Sequence, residues 1–181
     1  VRVNFDGTGV ETLITTESGV SGIVLDSENG KIYYSLFGAG KIKRADLDGN
    51  NIETIVDPIN SPGDFNIDFA AGKIYWTEYF EGNLNKCNLD GTEVETIISG
   101  QMYPSHLFLD YSNSKIFWTN YVGNNINSVN FDGTDHQVVM SSLSYPAGIT
   151  LDIANTHIYW VNYQTKTIQR ANTDGTNTIA I

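Results

Sequence analysis

The chain has 181 residues, a formal charge of −11 and a pI near 4.4, so it lacks the clustered Lys and Arg needed to bind nucleic acid or an anionic membrane surface. Membrane insertion is not expected either, because no apolar run approaches the ~20 residues of a spanning helix. A hydrophobic fraction of 40% and an aromatic fraction of 12% suit a core built from many short, half-exposed strands with large rings.

Residues 1–16 carry an Asp6-Gly7 pair followed by the alternating Glu11-Thr12-Leu13-Ile14. The Asp-Gly pair returns at Asp48-Gly49, Asp90-Gly91, Asp132-Gly133 and Asp174-Gly175, each 42 residues on. An aromatic pair keeps the same step at Tyr33-Tyr34, Tyr75-Trp76, Phe117-Trp118 and Tyr159-Trp160. So does an apolar segment ending at Asp26, Asp68, Asp110 and Asp152. Three columns with one period and no insertion define a repeat protein.

Within one unit, Phe65–Asp68 alternates, Ala71-Gly72 turns the chain, and Lys73–Thr77 is β-branched and aromatic. Glu78–Gly82 is a loop, Asn83–Asn88 a third strand, and Asp90-Gly91 a tight hairpin turn into Glu93–Ile98. No segment shows sustained helical periodicity. The expected fold is all-β: a β-propeller of four-stranded antiparallel blades, here named by strands a to d. Full blades are expected at about 20–56, 62–98, 104–140 and 146–181, with residues 1–16 as strands c and d of a half-blade. A ring of whole blades then requires a longer propeller, of which this is one region, or a second chain that completes the half-blade.

Repetition separates frame from function. Tyr34, Trp76, Trp118 and Trp160 recur in every blade and are expected to fill the wedge between sheets, and Gly7, Gly49, Gly91, Gly133 and Gly175 to serve the turns. The lone thiol, Cys87, shares a column with Ala45, Val129 and Ala171 and reads as a small packed residue. Asp46–Asn50 superficially resembles a calcium loop, but its Gly falls at the fourth place rather than the sixth, and it is one of the recurring turns.

Tyr75-Trp76-Thr77-Glu78, Phe117-Trp118-Thr119-Asn120 and Tyr159-Trp160-Val161-Asn162 resemble the YWTD repeats of low-density lipoprotein receptor-type β-propellers. The flanking Pro146–Asp152 and Ile168–Thr176 agree with it, so the resemblance covers the whole chain. It implies a six-bladed propeller that acts mainly by binding other proteins outside the cell, with its ligand face on the d–a and b–c loops and strand a lining the channel. It departs from the pattern at the motif's last place, which holds Leu36, Glu78, Asn120 and Asn162. It departs again at Ser128, where strand c otherwise carries Arg44, Lys86 and Arg170. With no cysteine-rich neighbouring module and no glycosylation sequon, a microbial secreted or surface protein fits better than an animal receptor.

On that loop face the candidate ligand residues are Phe37, Tyr79, Phe80, Tyr103, Tyr121, Tyr145 and Tyr163, large rings where solvated residues would cost less. Tyr79, Tyr121 and Tyr163 share one column, for which local packing is an equal reading. Before strand a, the column Gly22, Asp64, His106, Gly148 places Asp64 and His106 in neighbouring blades; they are weak candidates for a metal or a general base. The leading expectation is a non-enzymatic scaffold that needs no cofactor and binds a neutral or basic protein partner in an extracellular, cell-surface or periplasmic setting. The alternatives are a metal-dependent lactonase or lyase propeller with a channel-mouth site, and a structural subunit that self-associates through its incomplete blade.

Overall fold

Each repeat folds as one sheet. The computed structural model describes all 181 residues as sixteen strands in four antiparallel four-stranded sheets, with no helix. Blade one holds β1 (Val20–Asp26), β2 (Lys31–Leu36), β3 (Lys41–Asp46) and β4 (Glu53–Val56). Blade two holds β5 (Pro62–Asp68), β6 (Lys73–Glu78), β7 (Asn83–Asn88) and β8 (Glu95–Ile98). Blade three holds β9 (Pro104–Asp110), β10 (Lys115–Asn120), β11 (Asn125–Asn130) and β12 (Gln137–Met140). Blade four holds β13 (Pro146–Asp152), β14 (His157–Asn162), β15 (Thr167–Asn172) and β16 (Ile179–Ala180). The innermost strands β1, β5, β9 and β13 touch one another in turn, so the blades fan out from an axis lined by strand a.

The core lies between blades. Adjacent residues of a strand point to opposite faces, so the aromatic pair of strand b serves both neighbours. Trp76 packs into the cluster shared with blade one, beside Tyr33 and Ile42, while Tyr75 packs with Leu107, Ile116 and Trp118 of blade three. Phe117 and Trp160 repeat this between blades three and four. Trp76, Trp118 and Trp160 are at most 1% exposed, and Cys87 is fully buried, which pushes its thiol up to about 12.

A second contact locks the repeat length. At three of the c–d turns, those of Gly49, Gly91 and Gly175, the glycine lies under a carbonyl of the preceding unit, whereas a Cβ on Gly133 would make only ordinary contact, 3.6 Å from the Ile97 oxygen. A Cβ on Gly91 would sit 1.8 Å from the Ile55 oxygen, and one on Gly175 would sit 2.2 Å from that of Val139. Residues 1–16 form no strand, only the single bridge Arg2–Glu11, because no inner strand pairs with them. They nonetheless occupy the place of a preceding c–d hairpin: the Leu13 oxygen lies over Gly49 at 2.4 Å from a built Cβ.

The c–d turn is wider than the expected two-residue hairpin. Gly91 N–H closes a turn onto the Asn88 oxygen, Asp90 accepts from the Thr92 N–H and hydroxyl, and Glu93 takes a left-handed conformation before β8 begins at Glu95. Asp90 thus acts as an acceptor for its own turn and does not take the positive φ itself. Strand a is longer than expected, reaching back to Pro62, because a register shift between Pro62 and Phe65 lets it continue past the irregular point. Asp26, Asp68, Asp110 and Asp152 each accept N–H groups of the a–b turn.

The motif's last residue completes the indole. Trp118 and Trp160 donate Nε1–H to Asn120 and Asn162, at 3.2 and 3.3 Å. In blade two Glu78 turns away to the Asn60 N–H and the Asn83 amide, and Trp76 Nε1 is left buried without a partner. In blade one Leu36 offers no acceptor, and the Tyr34 hydroxyl is the other unpartnered buried group.

Two predictions follow from these contacts. Gly91→Ala is expected to cost about 2 kcal/mol more than Gly72→Ala in urea unfolding. Both positions have positive φ, but a Cβ on Gly72 meets nothing within 4 Å. Equal losses would remove the carbonyl contact as the lock on the repeat. Glu78→Asn should restore an acceptor to Trp76 and raise stability by about 1 kcal/mol; a neutral or destabilising result would show that Glu78's two present hydrogen bonds outweigh the orphaned indole.

Candidate functional site on the loop face

In a meander sheet the a–b and c–d turns lie at one end of the blade, and the b–c and d–a connections at the other. The residue ending each d–a connection, Gly19, Ser61, Tyr103 or Tyr145, has positive φ of 72, 49, 59 and 53°. Its carbonyl accepts the N–H of Phe37, Tyr79, Tyr121 or Tyr163 at 2.9 to 3.0 Å. This bond pins the b–c loop of each blade to the entry of its own strand a. Glycine suits that conformation, whereas tyrosine ahead of proline does not. Tyr103 and Tyr145 nonetheless hold it, each followed by a buried proline, Pro104 and Pro146.

The strained backbone aims these rings. Tyr103 lies 5.0 Å from Tyr79 and 5.9 Å from Phe80, and Phe37 joins at 6.2 and 5.9 Å from the same two rings. Tyr121 lies 5.1 Å from Tyr145 and 5.9 Å from Tyr163. The seven candidate rings therefore form two clusters that span all three blade junctions. Burial, then the nearby Tyr121 and Tyr103, pushes the Tyr79 phenol up. The column Tyr79, Tyr121, Tyr163 packs locally, yet the clusters stay open: Phe80 is 59% and Tyr163 68% exposed. Met102, 56% exposed beside Tyr103, adds a flexible apolar side chain at the junction of blades two and three.

Asp64 and His106 are neighbours across the second and third blades, but the carboxylate is engaged. Its oxygens accept the N–H of Phe65 at 2.9 Å and, from the next blade, of Leu107 at 3.2 Å. His106 is exposed and bonds through Nδ1 with the Ser105 hydroxyl. His136 stacks on Trp118 instead, and His157 lies against Tyr159, so the three histidines stay apart. No group of three or more His, Cys, Asp or Glu is placed to hold a metal ion. The polar frame here belongs to a column sequence reasoning passed over, Ser35, Thr77 and Thr119. Each hydroxyl accepts the N–H of Gly22, Asp64 or His106 at the strand-a irregularity, and Thr77 also reaches the Ser105 carbonyl of blade three.

Solved structures with this architecture include a chain of the Nidogen/Laminin Complex. It is 23% identical with a TM-score of 0.81, over 89% of this chain and 64% of that one. That match is a low-density lipoprotein receptor-type YWTD propeller. The fold is that of a β-propeller. A streptogramin B lyase is 24% identical at TM-score 0.74, over 92% and 55% of the two chains. A gluconolactonase from Xanthomonas campestris is 14% identical at 0.79, over 93% and 64%. The chain thus spans 55 to 64% of the length of these propellers. No protein-family model and no curated protein matches its sequence. The architecture hosts both binding proteins and enzymes, so function has to be argued from the residues.

Burial pushes the Asp64 carboxyl up, against the Leu107 N–H, the His106 charge and the Phe65 N–H, which pull it down. A carboxyl raised on folding adds stability that is complete below its ordinary value of 3.8 and is lost as pH rises through the folded value. Asp64→Asn gives up one of the two acceptor oxygens but does not titrate, so its stability relative to the parent should rise as pH goes from acid to neutral. Urea midpoints across pH test this, and a variant weaker, relative to the parent, at neutral pH than in acid contradicts it.

Proposed function

We propose that this chain is part of a non-enzymatic propeller that binds a protein partner on its b–c and d–a loop face. The observation that carries the reading is the pair of aromatic clusters across three blade junctions, kept open by two tyrosines in a left-handed backbone. Natural sequence avoids such strain unless the surroundings impose it, and it gathers at binding sites. Tyrosine and phenylalanine offer large contact area for little lost rotamer freedom, as interface anchors do. The protein-binding YWTD neighbour supports the same reading. The charge of −11 favours a neutral or basic partner, through faster encounter more than through affinity. An extracellular or surface setting follows from the same likeness, and no helix of the chain is long and apolar enough to cross a membrane.

The lyase and lactonase neighbours supply the competing reading. It would need a channel-mouth cluster, and here the one carboxylate of that column, the half-buried Asp64, is spent on two backbone N–H groups.

Panning a displayed peptide library on the intact chain tests the proposal. Enriched ligands should compete with one another and weaken by about thirtyfold on Phe80→Ala or Tyr103→Ala. Asp132→Ala, at the opposite end of blade three, serves as the control. Ligands indifferent to both ring substitutions would overturn the reading, provided circular dichroism shows the variants folded.

A further inference from the structure

At the other end of the blades, one junction is built differently. In blade one Arg44 sits over the Tyr33 ring at 5.7 Å and pairs with Glu53. In blade two Lys86 pairs with Glu95 and reaches the Phe131 carbonyl of blade three, while Phe131 packs 5.1 Å from Tyr75. A cation from strand c and, in the second case, a ring from the next blade's turn thus close the gap between sheets. Between blades three and four both are cut back: the cation becomes Ser128 and the ring becomes Thr173. What remains is a solvent-open cleft of about 650 Å3, bordered by Ser128, Thr173, Phe117 and three carboxylates, Asp110, Asp135 and Asp174.

Two features give this cleft a direction. Ser128 is 3% exposed and faces the cleft, and its hydroxyl makes no hydrogen bond within the chain, unlike the other hydroxyls of the blade frame. The charge is also unbalanced. Lys115 pairs with Asp135, and no second cation stands where Arg44 and Lys86 stand at the other junctions.

We propose that the cleft between blades three and four binds an alkyl guanidinium or alkyl ammonium group, supplying from outside the cation that Arg44 and Lys86 supply from within. The charged end takes the place beside Asp110 and Asp174, within reach of the Ser128 hydroxyl. The stem lies along Phe117, the ring in the same column as the Tyr33 that Arg44 covers. Hydrogen bonds hold all three carboxyls below their ordinary range. Asp110 is pushed up by burial but pulled further down by Asn113 and Ser112, Asp135 is lowered by Lys115 and Gln137, and Asp174 by Thr176. Each is therefore ionised at neutral pH. The group can come from a partner's arginine or lysine side chain or from a free diamine or agmatine-like amine. This site is independent of the aromatic face, and either can fail without the other.

Titration calorimetry of the intact chain at low salt, with agmatine and with the peptide Gly-Gly-Arg-Gly-Gly, tests the proposal. Agmatine should bind at one site with a dissociation constant on the order of 1 mM or tighter. Ser128→Arg, which changes the net charge by one unit but fills the cleft in cis, should weaken it at least about tenfold. Thr173→Phe, which copies blade three and adds no charge, should do the same and stands in if the first variant is poorly folded. Binding of both ligands identifies a partner's side chain as a source the cleft accepts; binding of agmatine alone points to a free amine. No binding of either, or binding unchanged in the folded variants, overturns the proposal, because the second result is general attraction to an acidic protein.

Discussion

Two neighbouring rings on strand b carry the architecture. Because successive side chains of a strand leave by opposite faces, Tyr75 and Trp76 cannot both serve one neighbour. Each blade is bound on both sides, and a one-residue slip in β6 would swap the wide indole and the narrower phenol between the two junctions, misfitting both at once. The glycines of three c–d turns, Gly49, Gly91 and Gly175, add a second constraint, since a carbonyl of the preceding unit lies where a side chain would begin. Together these explain why the 42-residue step tolerates no insertion across the chain. An extra residue in one of these three turns would lift its glycine from under the carbonyl and break the contact along the outer edge.

The same logic separates what the sequence discloses from what it conceals. Period, strand order and the strand-b rings are legible because each is repeated several times in register, and repetition averages out local ambiguity. The width of the c–d turn is not. Asp-Gly is compatible with a two-residue hairpin, and only the hydrogen bonds of Asp90 to Thr92 show that the aspartate serves as an acceptor. The left-handed Tyr103 and Tyr145 are also hidden, since nothing in Tyr-Pro announces a positive φ; the clue is positional, a column that begins with Gly19. The role of Asp64 was half legible. Its column showed an ionisable residue at the channel mouth, but that both oxygens cap backbone N–H groups of two blades depends on a register shift that alternation does not reveal.

The two ends of the blades differ in character. Eight of the ten basic residues are held in ion pairs, mostly along the strands and c–d turns. These are largely exposed and add little stability, but they leave the turn aspartates as net negative charge. Asp48, Asp90, Asp132 and Asp174 lie at the a–b and c–d end, each lowered by hydrogen bonds within its own turn. The opposite end carries the exposed rings. Negative charge and exposed apolar area thus lie at opposite ends of the blades.

Departures from the repeat carry different meanings according to what replaces them. Glu78 in place of Asn120 and Asn162 leaves Trp76 unpartnered and gains in exchange hydrogen bonds from the Asn60 N–H and the Asn83 amide. Tyr103 and Tyr145 in place of Gly19 cost backbone strain and place a ring in each of the two aromatic clusters. Ser128 and Thr173 cost a packed cation and a packed ring together, at one junction, on facing walls. A single truncation would be ordinary drift in a repeat array. Two truncations on facing walls, bordered by ionised carboxylates, remove volume and one positive charge from the same gap. That coincidence in space, more than any motif, sets the third junction apart from the other two.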